Sequence, residues 1–229
     1  MPERPYTMLS CSMSIDGYLG DRSPRMALSN DADFDRVDEV RASCDAIMIG
    51  AVTVRTDNPR LLVRSQARRD EREARGLSPS PMKITVTNRV DLDAGSNFFT
   101  TGEAEKLVYT PSAGVADARS RLGRAATIVD GGRRVRMRRL TEDLGDRGVE
   151  RLMVEGGGIV HTQFLADDLV DELHLVVAPF FVGDSSAPRF VSDGRFPWNS
   201  ERRATLAEVR QTGDVVLLRY ALSPRFRDE

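Results

Sequence analysis

Three short stretches combine residue types that can hold an anion, move a proton and grip a heteroaromatic ring. Gly156-Gly157-Gly158 follows an apolar run and precedes a helix-like one. Glycines let the backbone approach a phosphate closely, and the amides and dipole of a helix N-terminus favour its charge. The spacing is neither GxGxxG nor GxxxxGK[ST], so it reads either as a phosphate cradle or as a tight strand-to-helix turn. The stretch Gly50 to Leu61 offers Thr53 as a donor just past a strand end and Asp57 as a proton carrier. With Asn58-Pro59 following, Asp57 is expected in an extended or turn segment outside any helix. It either caps that turn or, with Arg60 and Arg64 nearby, faces a phosphorylated sugar. Ser12 to Gly17 ends on Asp16-Gly17, which is a turn pair or the lip of a cleft. Glu155, just ahead of the glycines, can bond the amidine-like edge of a pyrimidine or pterin ring.

The elements that must position these residues alternate along the chain. Strands are expected at Tyr6 to Met13, Asp45 to Gly50, Lys83 to Thr87, Lys106 to Thr110, Ala126 to Asp130, Arg151 to Val154 and Glu172 to Ala178. Helices are expected from Ser29-Asn30-Asp31 to about Ala42, and over Ala113 to Leu122, Arg136 to Arg147 and Ile159 to Ala166. The charge run from Gln66 to Gly76 reads as a solvated helix or loop. Ala204 to Arg210 and Asp214 to Leu222 form a hairpin split by Thr212-Gly213. This order predicts one α/β domain over residues 1–229, with a mostly parallel sheet, helices on both faces and the antiparallel hairpin at one edge. In such sheets ligands bind beyond the carboxyl ends of the strands, where the three stretches fall.

Composition excludes several classes. The 229 residues carry 33 Lys plus Arg against 35 Asp plus Glu, so no bulk charge draws the chain to nucleic acid or membrane. No apolar run reaches transmembrane length, and the N-terminus lacks a signal-peptide core, which makes the cytoplasm the expected location. Cys11 and Cys44 read as two buried, reduced thiols, and no metal-spaced His/Cys cluster is present. His161, His174 and Trp198 are given no chemical role.

Several motifs occur in one order. Ser14-Ile15-Asp16-Gly17 comes first, then Arg41-Ala42-Ser43-Cys44-Asp45-Ala46-Ile47-Met48-Ile49-Gly50. Thr53-Val54, Asp57-Asn58-Pro59-Arg60-Leu61 and Arg64 follow, then Glu155-Gly156-Gly157-Gly158, Val170-Asp171-Glu172-Leu173 and Ala178-Pro179. Over roughly Tyr6 to Leu222 the chain thereby resembles the riboflavin-biosynthesis pyrimidine reductases, the RibD C-terminal family, whose fold is similar to dihydrofolate reductase. The resemblance implies NADPH-dependent reduction of a ribosylaminopyrimidine 5′-phosphate. It implies that Asp57 is the acid or proton relay beside the reacting sugar carbon. Arg41 and Arg64 would hold the phosphoribosyl part, Glu155 would face the pyrimidine, and Asp16 would border the substrate cleft. Gly50, Thr53, Gly156, Gly157 and Gly158 match the NADPH cradle, and Asn88-Arg89 stands where a Ser-Lys/Arg pair meets the cofactor's 2′-phosphate. A homodimer is implied, with the strand from Leu173 to Val177 a contributor. The chain departs from the pattern at Asn88, at Tyr18 where lysine is frequent, and at Val182-Gly183-Asp184. No zinc deaminase precedes the domain, so reduction without deamination is expected. A pterin reductase and a non-catalytic nucleotide-binding protein of the same fold are the competing readings.

Overall fold

The computed structural model describes residues 4–20 and 28–227. Along the chain run β1 (Tyr6–Ser14), α1 (Asp31–Ser43), β2 (Ala46–Gly50), α2 (Ala51–Asp57), α3 (Gln66–Ala74) and β3 (Met82–Val86). They are followed by α4 (Asn97–Thr100), β4 (Lys106–Thr110), α5 (Val115–Leu122), β5 (Thr127–Asp130), α6 (Met137–Asp146) and β6 (Arg151–Gly156). The chain ends with α7 (Gly158–Ala166), β7 (Glu172–Ala178), β8 (Thr205–Thr212) and β9 (Val215–Ala221). Two compact units divide it. The first contains Asp38–Met153 and the extreme N-terminus, and the second contains Tyr6–Val37 and everything from Val154 onward.

In the first unit β5, β4, β3 and β2 lie side by side in that order, all parallel. Every residue of β2 is buried, as expected of a parallel strand covered on both faces. Strand alternation puts Tyr109 and Lys83 on opposite faces, because Lys83 is level with Lys106, three residues before Tyr109. The Tyr109 hydroxyl donates to Asp143 of α6 at 2.5 Å. Lys83 Nζ donates to the carbonyls of Thr101 (2.6 Å) and Phe98 (3.2 Å) around α4. Helices therefore cover both faces. Burial, with Lys106 beside it, pushes the Lys83 amine down to about 8. Ile47, Met48, Ile84, Leu107, Leu140 and Leu144 belong to the buried apolar interior, each contributing about 1.5–3 kcal/mol by burial.

The charge run is helical, as α3, but it is not wholly solvated. Arg72 is only 3% exposed and donates to the carbonyls of Ala42, Cys44 and Ser78. Its burial is tolerated because the carbonyls satisfy its fork. Of the two cysteines, both free, Cys44 is buried and Cys11 half-buried.

In the second unit β1 pairs with β7 in parallel, β7 with β9 and β9 with β8 antiparallel. Gly213, at φ +62°, turns the β8–β9 hairpin. Val176, Ala178, Val215 and Leu217 pack with Leu28 and Phe180. The strand containing Leu173 to Val177 is paired on both edges, with β1 and β9, and the outer strand of this unit is β8.

Candidate active site

On the first unit, β2 runs straight into α2 with Gly50 as the N-cap. Ala51 and Val54 anchor this helix in the interior, leaving Thr53 half-buried and Arg55, Thr56 and Asp57 outward. Asp57 is thus the last residue of α2 and does not lie in an extended segment. Proline restricts only its immediate predecessor, Asn58, which takes the left-handed conformation (φ 44°) as C-cap. Asn58 is held by Asn97, whose amide donates to its side-chain oxygen at 2.7 Å. The Asp57 carboxylate is exposed and accepts from the Thr56 hydroxyl at 2.7 Å.

Beyond Asn58 the chain passes the buried Leu61 and Val63 to Arg64. Buried Asp38 organises this passage: its carboxylate accepts from the amides of Arg64 and Ser65 and from the Arg68 guanidinium at 3.0 Å. Burial works against the Asp38 charge, but these donors outweigh it and hold the carboxyl below its usual range. Arg41, in the last turn of α1, donates to the Leu62 carbonyl at 3.3 Å. The structure therefore brings Arg41 to the segment that bears Arg64. Asn88 and Arg89, just past β3, are exposed, with the Arg89 amide bonded to the Thr87 hydroxyl at 3.1 Å. Among the described residues the Arg89 guanidinium makes no ion pair.

On the second unit, Glu155 is half-buried at the end of β6, and Gly157 is the N-cap of α7 with no side-chain cap. The glycines differ in what they are for. Gly156 has φ +133°, a region closed to other residues without strain. A Cβ on Gly158 would lie 2.2 Å from the Arg189 carbonyl oxygen, so the chain's own backbone excludes it. Behind them His161 is fully buried, with Nδ1 3.2 Å from the Phe190 carbonyl oxygen. Its burial pushes the imidazole down to about 4, so it is neutral.

Asp16 is spoken for by the protein. It accepts from the Ser14 hydroxyl at 2.5 Å and from the amides of Gly183 (2.8 Å) and Val182 (3.1 Å). Partial desolvation opposes its charge, yet these bonds hold the carboxyl at about 2. Val182-Gly183, a departure noted in the sequence, is thus the partner of the Asp16 turn. Tyr18, another departure, has the Arg189 guanidinium over its ring at 4.8 Å. Arg189 and Asp38 were missed by sequence reasoning, since neither belongs to a local motif. The two units each carry part of the motif set: Arg41, Gly50, Thr53, Asp57, Arg64, Asn88 and Arg89 on the first, and Asp16, Glu155 and Gly156 to Gly158 on the second.

A parallel sheet with helices on both faces and this motif order is matched from residue 5 to 218 by the family described as the RibD C-terminal domain, and the chain belongs to it. Over 225 residues it is 35% identical to the "2,5-diamino-6-ribosylamino-4(3H)-pyrimidinone 5′-phosphate reductase" of Archaeoglobus fulgidus, covering 97% of this chain and 99% of that protein. A reductase of the same name from Methanothermobacter thermautotrophicus is 36% identical over 192 residues, covering 83% of this chain and 85% of that one. The crystal structure of a pyrimidine reductase-like protein from Corynebacterium diphtheriae superposes with a TM-score of 0.79 at 20% identity, covering 95% and 91% of the two chains. That likeness extends the fold alone.

Proposed function

We propose that this chain reduces a 2,5-diamino-6-ribosylaminopyrimidinone 5′-phosphate to its ribityl form with NADPH, the reductase step of riboflavin biosynthesis. The observation that carries the reading is the pair Asp57 and Arg89. Both are exposed charged groups outside every ion pair among the described residues: Arg89 lies three residues past β3, and Asp57 closes the helix α2 that follows the adjacent parallel strand β2. The names of the two relatives favour the 2-amino over the 2-oxo pyrimidine.

The residues present fit a phosphate-bearing nicotinamide cofactor. On the first unit the Arg89 guanidinium makes no ion pair among the described residues, and on the second α7 begins without a side-chain cap. With Asn88 in place of a serine, preference for NADPH over NADH rests on Arg89. The bound cofactor supplies the hydride. Arg41 and Arg64 hold the substrate phosphate, and Glu155 accepts hydrogen bonds from the pyrimidine's amino edge. Asp57 would relay a proton to the ring oxygen as the C1′–O bond breaks and the exocyclic nitrogen forms a C=N bond to C1′. The hydride that the cofactor would supply at C1′ would give the open ribitylamine. General acid help of this kind contributes about 10²–10⁴-fold, and holding the phosphate fixes the reacting carbon. We also take the chain as a single reductase domain, since the family match runs through both units, working as a cytoplasmic homodimer. No helix among the described residues can cross a membrane.

The test is NADPH consumption with the ribosylaminopyrimidine phosphate, with its dephosphorylated form and with dihydrofolate. The first should be turned over, and dephosphorylation should lower kcat/KM at least about tenfold, the value of one charge-assisted contact. In Arg64→Ala that ratio should shrink toward unity, as in a double-mutant cycle. Turnover of dihydrofolate alone would establish the pterin reading, and no turnover of either would leave a non-catalytic nucleotide binder.

A further inference from the structure

We propose that the first unit carries a second anion site, separate from Arg89, that takes a phosphate-bearing ligand at the carboxyl end of the edge strand β5. A cavity of about 830 Å³ opens there, within the roughly 300–1,000 Å³ typical of small-molecule sites. The sequence builds it from a tight turn. The Gly131 amide donates to the Thr110 carbonyl and the Gly132 amide to Asp130, each at 2.8 Å. Gly132 has φ +79°, and a Cβ on Gly131 would lie 2.6 Å from the Val135 side chain. The turn contributes Arg133 and Arg134 to the lining, and the start of α6 adds Arg136 and Arg139.

These four side chains are exposed, and among the described residues none makes a hydrogen bond or ion pair. Of the cavity's two carboxylates only Asp143 is paired with another cation; Asp130 keeps its charge among neutral donors, so the four guanidinium groups are offset only in part and the lining stays strongly positive. Asp130 accepts from the Ser112 hydroxyl at 2.7 Å and the Gly132 amide, and Asp143 from the Tyr109 hydroxyl and from Arg147 at 2.8 Å. Four guanidinium groups around one concave polar space repel each other, so the folded chain alone gains nothing from the arrangement. An anion does, and the fork of each guanidinium matches phosphate oxygens. The first turn of α6 adds to this, having no acidic residue and no side-chain cap on its amides. The number of cations favours a di- or polyphosphate over a single carboxylate. The site does not depend on the reductase reading.

Inorganic pyrophosphate is the probe, titrated into the full chain by calorimetry at physiological salt. Saturable binding is expected. The double variant Arg134→Gln/Arg139→Gln should weaken it at least about tenfold, with the circular dichroism spectrum and Tm unchanged. Arg89→Ala should leave it intact. The pair Arg124→Gln/Arg203→Gln, which removes as much charge from residues that do not line the cavity, should change it little. A second arm identifies the source. If NADPH displaces pyrophosphate and the double variant weakens NADPH and NADH alike, the phosphate is the cofactor's diphosphate; if NADPH does not compete, it belongs to a separate ligand. Either result sustains the site. Absence of saturable binding, equal weakening by the two double variants, or loss of pyrophosphate binding in Arg89→Ala would overturn it.

Discussion

Asp57 and Arg89 owe their availability to what surrounds them. Asp57 closes a helix whose own fold is secured by buried Ala51 and Val54, so its charge is not needed for structure. Asp57→Asn should therefore leave Tm nearly unchanged while turnover falls by at least about 10²-fold. Near wild-type turnover in that variant would remove Asp57 from the reaction and point to Glu155. Arg89→Ala should weaken NADPH roughly ten- to hundredfold and NADH hardly at all, because only the former bears the 2′-phosphate. Fluorescence titration with both nucleotides checks this, and equal losses would move Arg89 to the diphosphate. At this scale the sequence was informative where a residue works with its neighbours in the chain. Asp57, Arg89 and the glycines stood in readable motifs, whereas Arg189 reaches Tyr18 and Gly158 only through the folded chain.

The elements most exposed to misreading are those without local signals. Helix α2 follows β2 directly, its N-cap is a glycine, and Val52, Thr53 and Val54 are β-branched, so neither capping nor propensity announces it. Its hold is tertiary, through two buried side chains. The regular strands were legible because burial imposes a simple pattern, and β2, buried throughout, showed as an unbroken apolar run. The passage from Leu61 to Ser65 is the opposite case. It contains no secondary structure, and its shape depends on Asp38, which lies on α1. Asp38→Ala would leave two amides and Arg68 without their partner, at a cost of about 1.5–3 kcal/mol. Hydrogen exchange at the Arg64 and Ser65 amides should accelerate, and KM for the phosphorylated substrate should rise more than kcat falls. Unaltered protection at both amides would show that the segment is held by something else.

For the molecule as a whole, buried titratable groups dictate how stability responds to acid. His161 in the folded chain titrates at about 4 because burial penalises its charged form, against about 6.5 when unfolded. The unfolded state takes up the proton first, so stability is complete above about pH 6.5 and declines as pH falls toward 4, by about 3 kcal/mol. His174, also lowered by burial, acts in the same direction. Glu172 follows at lower pH. Burial opposes its charge, but His174, Arg219 and Tyr6 hold it at about 2, so its contribution is lost below about pH 4.5. Urea unfolding across this range should show two successive acid limbs, with His161→Gln flattening the first. An unchanged first limb in that variant would assign it to other groups. None of this was legible beforehand: the sequence shows two histidines without a motif, and only the fold reveals that both are buried.

The clash that reserves position 158 for glycine has a consequence for how such chains are sorted. The constraint comes from the Arg189 carbonyl, so it persists whether or not anything is bound or reduced. A descendant of this protein that had lost catalysis would remain under pressure to keep that glycine, merely to fold. Gly158→Ala should lower Tm without any ligand present, by the equivalent of about 1–3 kcal/mol, and differential scanning calorimetry of the unliganded protein would detect it. Retention of the third glycine is then a marker of shared ancestry, whereas the exposed Asp57 and Arg89, which no fold constraint protects, are free to change once the roles proposed for them are no longer needed.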